Sequence, residues 1–281
     1  MVKTVYKTEE GRYIVESIYR KILEEYSSLT FDQLFISTEF GKTHALQFGD
    51  KSKPPLVMLH GTASNSASFL GNVPDFIDRF CVYCIDILGE PGLSEPTRNP
   101  LASKTPYLWL NSVLNKLHIE KASFVTISLG SWYALNFAIQ NPERIRNLSM
   151  ITTPGIVPAK RSFIVKAIFF MMLGEKGQKL LNKTIYYKTE VPSIVLEFQS
   201  IVSKHFIPLM EAIPVFSDAE LRKITAPIQF FGGDHDALID SVKTGERLKS
   251  ILPHSDIHIL KDTGHVIVDQ FENIKYFLIT N

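Results

Sequence analysis

Three residues of this chain are of the types that together cut acyl bonds, and each stands just past an apolar run. The stretch 122–134, "ASFVTISLGSWYA", is β-branched and apolar up to Ser128 and helix-like after it. A serine on a sharp strand-to-helix turn is exposed for attack on a carbonyl. Its hydroxyl is a weak nucleophile and needs a base, usually histidine, oriented by a third group. "KDTGHVIVDQ" places His265 directly after an apolar segment, with Gly264 before it for a tight turn. "FFGGDHDALID" places acids after another. Counted from Gly233, Asp236 is the favoured acid. Asp234 is the alternative, with Asp240 nearby, and the acid that loses caps turn amides.

Around Ser128 the pattern is small-x-nucleophile-x-small, with Thr126 and Gly130 as the small positions. The usual form is G-x-S-x-G, because the turn crowds the residues two away from the nucleophile. Thr126 stands where the first glycine is usual, and Ser131 follows Gly130. The plain alternative for Ser128 is a helix N-cap.

Acyl transfer also needs backbone N–H groups aimed where negative charge develops. Leu129, next to the serine, supplies one. "LVMLHGTASNS" offers the second: Gly61 lets the backbone come close, and Thr62 N–H is the candidate donor. His60 reads as a structural hydrogen-bonder at a strand end, Ser64, Asn65 and Ser66 as N-cap candidates, and His235 and His205 as surface residues. Asp86 and Glu90 in "IDILGEPGLS" read as loop-structuring carboxylates. "HGTASNS" lacks the lysine of a phosphate loop.

The elements that must position these groups follow from periodicity. Residues 10–26 carry apolar positions at helical spacing, and two strand-like runs flank Gly41 as a hairpin. "PPLVMLHG" (54–61) and "CVYCIDILG" (81–89) are continuous apolar runs, as in strands buried on both faces. Helices are expected over 72–80, 105–118 and about 129–140, and strands at "ASFVTI", "IRNLSMITTP", "APIQFFGG" and "DIHILKD" (256–262). Alternating strands and helices mean crossover units and a parallel sheet. Between about 156 and 217 the pattern is helical, punctuated by Pro192, Pro208 and Pro214. An insertion there lies over the carboxyl ends of the strands, where open α/β sheets bind ligands. Its aromatics and methionines at 163–172 and in "FQSIVSKHFIPLM" are candidates to line an apolar acyl pocket.

The 281 residues are 45% hydrophobic and 21% charged with a formal net charge of +1. No basic run suits nucleic acid. The N-terminus is polar, the longest oily run (163–173) is too short to span a bilayer, and the expected location is cytoplasmic. Cys81 and Cys84 lie three apart on a strand, facing opposite ways, and read as buried core thiols.

Five motifs in order, "LHG", "IDILGEPGLS", "TISLG", "GGDHD" and "TGH", resemble the α/β-hydrolase superfamily over about residues 31–279. "ISTEFGKTHAL", "LHGTASNSASF", "IDILGEPGLSEP" and "GDHD" are most similar to bacterial carboxylesterases of the naproxen-esterase type. The resemblance implies a doubly wound, mainly parallel α/β core (1–155 and 218–281) with a helical cap (156–217). It implies a serine esterase with Ser128, Asp236 and His265 as triad and Thr62 and Leu129 as oxyanion donors. It implies no cofactor; the apolar cap suggests a small to medium-sized hydrophobic ester as substrate, with no metal. A monomer or homodimer without stable membrane association is the expected state. Cleavage of C–C, thioester or amide bonds, perhydrolysis, and a ligand receptor with little turnover stay open on the same triad.

Overall fold

The computed structural model describes residues 5–281, with the side chains of residues 161, 164, 168, 171 and 175 outside the description. Helix α1 (Glu9–Tyr26) starts at Thr8, whose side chain accepts from Gly11 N–H at 2.9 Å. A hairpin follows, β1 (Asp32–Thr38) and β2 (Gly41–Phe48), turning at Gly41 with φ +129°. The parallel strands are β3 (Pro55–Leu59), β4 (Cys81–Ile85), β5 (Ala122–Ile127), β6 (Ile145–Ile151), β7 (Ile228–Gly233) and β8 (Asp256–Leu260). The eight strands order β1-β2-β4-β3-β5-β6-β7-β8, antiparallel only at the hairpin edge.

Helices cover both faces, which is why β3, β4 and β5 read as unbroken apolar runs. On one face α2 (Thr105–Lys116) and α3 (Leu129–Gln140) bury Trp109, Trp132 and Phe137 against Phe124 and Phe230. On the other, α1 and α9 (Phe271–Thr280) bury Tyr19, Ile274 and Phe277 against Leu56, Val82 and Phe231. Cys81 and Cys84 are buried free thiols. The sheet is the doubly wound core expected from the alternation, and the reversal of strand order around β3 puts a crevice at the strand ends.

The stretch 72–80 departs from expectation. It holds only a short 3₁₀ turn, Val73–Asp75, followed by loop. Its backbone closes successive i→i+3 turns instead of an α-helical ladder, with Phe76 N–H donating to Val73 O and Arg79 N–H to Phe76 O.

After β6 comes the helical block, α4 (Arg161–Met172), α5 (Gly174–Tyr186) and α6 (Ser193–His205), then the short α7 (Asp218–Leu221). α8 (Ser241–Ile251) lies between β7 and β8. Among the described residues no strand lies between 156 and 217, although an isolated bridge joins Phe206 to Tyr6. Around that bridge Lys7 N–H donates to His205 O (2.9 Å) and Ile207 N–H to Val5 O (2.8 Å). The N-terminal segment thus straps α6 to the core. His205 was expected on the surface; it packs instead on Gly11, where an added Cβ would lie 2.9 Å from it. Small Gly11 is what lets α1 and α6 approach.

Candidate active site

β5 ends at Ile127, and the chain turns at Ser128 with φ +49° and ψ −115° before α3 begins at Leu129. A non-glycine residue there stores backbone strain of roughly 1–3 kcal/mol. The tightness has a visible cause. A Cβ on Gly130 would stand 2.2 Å from Leu59 O, so α3 rides directly on the end of β3 and only glycine fits.

The two departures from the usual elbow pattern meet each other. Thr126 and Ser131 are both fully buried, and Thr126 Oγ1 lies 3.0 Å from Ser131 Oγ and 3.3 Å from Ser149 O. Each extra hydroxyl therefore has a partner, and the elbow keeps its turn.

Ser128 Oγ is 3.2 Å from His265 Nε2, and His265 Nδ1 is 2.8 Å from Asp236 Oδ2. With Asp236 ionised, Nδ1 carries the proton and Nε2 is left to accept from the serine. Asp236 Oδ1 accepts from the N–H groups of Leu238 (2.8 Å) and Ile239 (3.1 Å), which fixes the carboxylate plane. Burial alone raises the Asp236 carboxyl, but the charge and hydrogen bond of His265, with those two amides, bring it below the ordinary aspartate value. Lys160 Nζ donates to Asp236 O at 2.6 Å, a tether from the helical block that no sequence motif announced.

Asp234 is placed elsewhere. Its Oδ1 accepts from His235 Nδ1 (2.8 Å) and Thr263 N–H (3.2 Å), so it caps the turn that carries His265. Asp240 caps α8 by accepting from Lys243 N–H. His235 is exposed and stacks on Tyr187, centroids 4.7 Å apart.

The loop after β3 lies against the serine: a Cβ on Gly61 would be 3.4 Å from Ser128 Cβ. Buried carboxylates hold this loop. Glu90 Oε2 accepts from Ala63 N–H at 2.6 Å, one residue past Thr62, and Ala63 itself has φ +54°. Asp86 accepts from Ser66 N–H (2.8 Å), Leu93 N–H (2.9 Å), Tyr19 Oη (3.1 Å) and His44 Nδ1 (2.8 Å). Asn65 Oδ1 accepts from Ala67 N–H, and Asn65 Nδ2 donates to Pro91 O. His60 Nε2 accepts from Ile87 N–H (2.9 Å), so its Nδ1 donates to Gly61 O (2.8 Å). Burial holds the His60 pKa down, as a structural imidazole requires. Burial raises Asp86, yet the bond and charge of His44 hold it well below the usual range. Burial lifts Glu90 to about 7, only partly offset by Arg98, whose guanidinium is 3.6 Å away. Leu129 N–H lies in the first turn of α3, where amides have no intrahelical acceptor.

The helical block touches the site at its far end. His265 N–H donates to Ile185 O (3.1 Å) and Thr189 Oγ1 to Val266 O (2.9 Å). Trp132 Nε1 donates to Pro214 O at 2.9 Å. Its apolar side chains do not all turn inward, as an acyl pocket would need. Val165, Phe169 and Met172 face solvent, and the side chain of Met171 lies outside the description. Phe198, Val202 and Phe206 are buried with the α1 core.

Among the described residues no cluster of His, Cys, Asp and Glu is arranged to hold a metal ion. None of the helices among them is long and apolar enough to cross a membrane.

Residues 54–172 match the alpha/beta hydrolase fold family. The Bacillus subtilis protein named uncharacterized carboxylesterase nap is 30% identical over 242 residues, 83% of this chain and 80% of its own length. Carboxylesterase YbfK of the same organism is 26% identical over 244 residues, 84% and 82% of the two chains. The solved structure of naproxen esterase (carboxylesterase NP) from B. subtilis superposes with a TM-score of 0.84 at 24% identity, covering 98% of both chains. The chain belongs to the α/β-hydrolase family. Its similarity is to the carboxylesterases of that family, and it is a carboxylesterase-like hydrolase.

Proposed function

We propose that the protein hydrolyses carboxylic esters of small to medium hydrophobic substrates through an acyl-enzyme. The observation that carries this reading is the unbroken relay Asp236–His265–Ser128, at 2.8 and 3.2 Å, ending on a serine held at φ +49°. Ser128 Oγ attacks the ester carbonyl as His265 Nε2 takes its proton. Asp236 stabilises the imidazolium and keeps its tautomer. The amides of Leu129 and Thr62 receive the oxyanion, with Glu90 holding the Thr62–Ala63 turn. His265 then protonates the leaving alcohol. Water, deprotonated by His265, releases the acid. The block 156–217 acts as the cap, and its bonds to Asp236 O and His265 N–H register it on the relay. No metal or organic cofactor enters any step.

The altered elbow, with Thr126 and Ser131, is the feature that would suit a receptor with little turnover. Because Thr126 and Ser131 bond to each other and Ser128 Oγ stays within reach of His265, the geometry favours turnover. Ester cleavage is preferred over C–C, thioester or amide cleavage because the relatives at 30% and 26% identity bear carboxylesterase names. The test is labelling with a fluorophosphonate followed by peptide mapping. A single adduct on Ser128, blocked by prior incubation with a hydrophobic ester, is expected. An adduct elsewhere, or none, would overturn the proposal.

A further inference from the structure

The outer side of the helical block has features the ester chemistry does not use. On α4, Val165, Phe169 and Met172 are 68%, 57% and 81% exposed. Their spacing of four and three puts them in one stripe along the helix. Leu173 at the α4–α5 turn and Leu180 on α5 are exposed as well. A contiguous exposed apolar stripe of this kind marks an interaction site.

The charge of the segment that carries this stripe is one-sided. Residues 160–190 contain seven Lys or Arg and two Asp or Glu, in a chain whose formal net charge is only +1. Lys166 on α4 and Lys176, Lys179 and Lys183 on α5 are exposed. At helical spacing, 176, 179, 180 and 183 share one face, so Leu180 sits among the lysines. A twelve-residue α4 is about 18 Å long and cannot span a bilayer of about 30 Å. An apolar stripe bordered by lysines is the pattern of a helix that lies in the headgroup layer of an acidic membrane. A second copy of the chain fits this face poorly, because a two-fold interface would set lysines against lysines.

We propose that the α4–α5 hairpin docks the protein reversibly on anionic lipid surfaces, with the Val165–Phe169–Met172 stripe among the headgroups and the α5 lysines on their phosphates. Ile185, in the last turn of the same hairpin, accepts from His265 N–H through its carbonyl. Docking therefore brings the candidate site, one hydrogen bond from this hairpin, near the layer where hydrophobic esters accumulate.

The test is co-sedimentation with vesicles of phosphatidylglycerol mixed with phosphatidylcholine, beside vesicles of phosphatidylcholine alone. Each lysine near an acidic surface contributes a factor of about five in binding. Lys176→Glu, Lys179→Glu and Lys183→Glu together are expected to weaken binding at least ~100-fold. The triple variant should keep its melting temperature and its turnover of a water-soluble ester. Phe169→Ser with Met172→Ser should also lower binding, while light scattering shows the same mass as the parent. Binding that is stronger on phosphatidylglycerol and weakened by salt supports the proposal. Overturning results are equal binding to both vesicles, no binding to either, a triple variant that binds like the parent, or a parent dimer that the serine variants split. The assay reads no catalysis, so its failure leaves the esterase reading untouched, and the reverse holds as well.

Discussion

Thr126 and Ser131 should behave as one unit. Their hydroxyls are 3.0 Å apart and both residues are fully buried, so each is the other's replacement for water. A neutral buried hydrogen bond is worth about 0.5–1.5 kcal/mol net, whereas stranding one partner costs about 1–3 kcal/mol. Thr126→Val keeps shape and strands the Ser131 hydroxyl, so it should cost about 1–3 kcal/mol. Ser131→Ala leaves Thr126 its bond to Ser149 O at 3.3 Å, so it should cost less, about 1 kcal/mol. With both hydroxyls gone nothing is stranded. The double variant should therefore cost at least about 1 kcal/mol less than the sum of the singles. Urea unfolding of the four proteins with a common m-value gives the cycle. Ester turnover should stay within a few-fold in all four, because none of these groups touches Ser128 Oγ. Additivity within ~0.5 kcal/mol would refute the pairing.

Other outcomes follow from the same geometry. Ser128→Gly relieves roughly 1–3 kcal/mol of backbone strain against roughly 0.5–1 kcal/mol of extra unfolded-state freedom. Its melting temperature should therefore equal or exceed that of the parent while turnover vanishes, and a large drop would count against the strained elbow. Asp236→Asn should lose roughly 10³–10⁴ in kcat, and Asp234→Asn only a few-fold, because only Asp236 reaches His265. Steady-state kinetics that reversed this order would make Asp234 the acid. Glu90 binds its proton more tightly folded than unfolded, since burial lifts it to about 7 from an ordinary 4.5. The folded state thus holds more protons between those values, and stability contributed below pH 4.5 is lost as pH rises through about 7. The parent should lose roughly 3 kcal/mol over that window relative to Glu90→Gln, read as the difference between two stability–pH curves; a flat difference would contradict it.

Much of this site was legible because each candidate group follows a strand that carries its own signature. The runs at 54–61, 122–127 and 256–262 read as strands, and glycines at 61, 130 and 264 marked the turns at their ends. The acid was legible only to within two residues. Asp234 and Asp236 share one turn, and the choice depends on which carboxylate the Gly233 turn swings towards His265. Asp86 and Glu90 were recognisable as loop-builders but not their partners, which come from α1, β2 and the loop after β3. The Thr126–Ser131 bond escaped because each residue, taken alone, is only a departure from a pattern. The outward stripe of α4 escaped for another reason. A helix apolar all round gives no periodicity from which to tell the core face from the exposed one.

The central claim is that Ser128 is a nucleophile that turns over. Purified protein and its Ser128→Ala variant should be mixed with p-nitrophenyl butyrate and phenolate release followed through many equivalents. Steady multiple turnover by the parent, and none above background in the variant, is the predicted result. Equal turnover in both, or a parent that releases no phenolate, would contradict it.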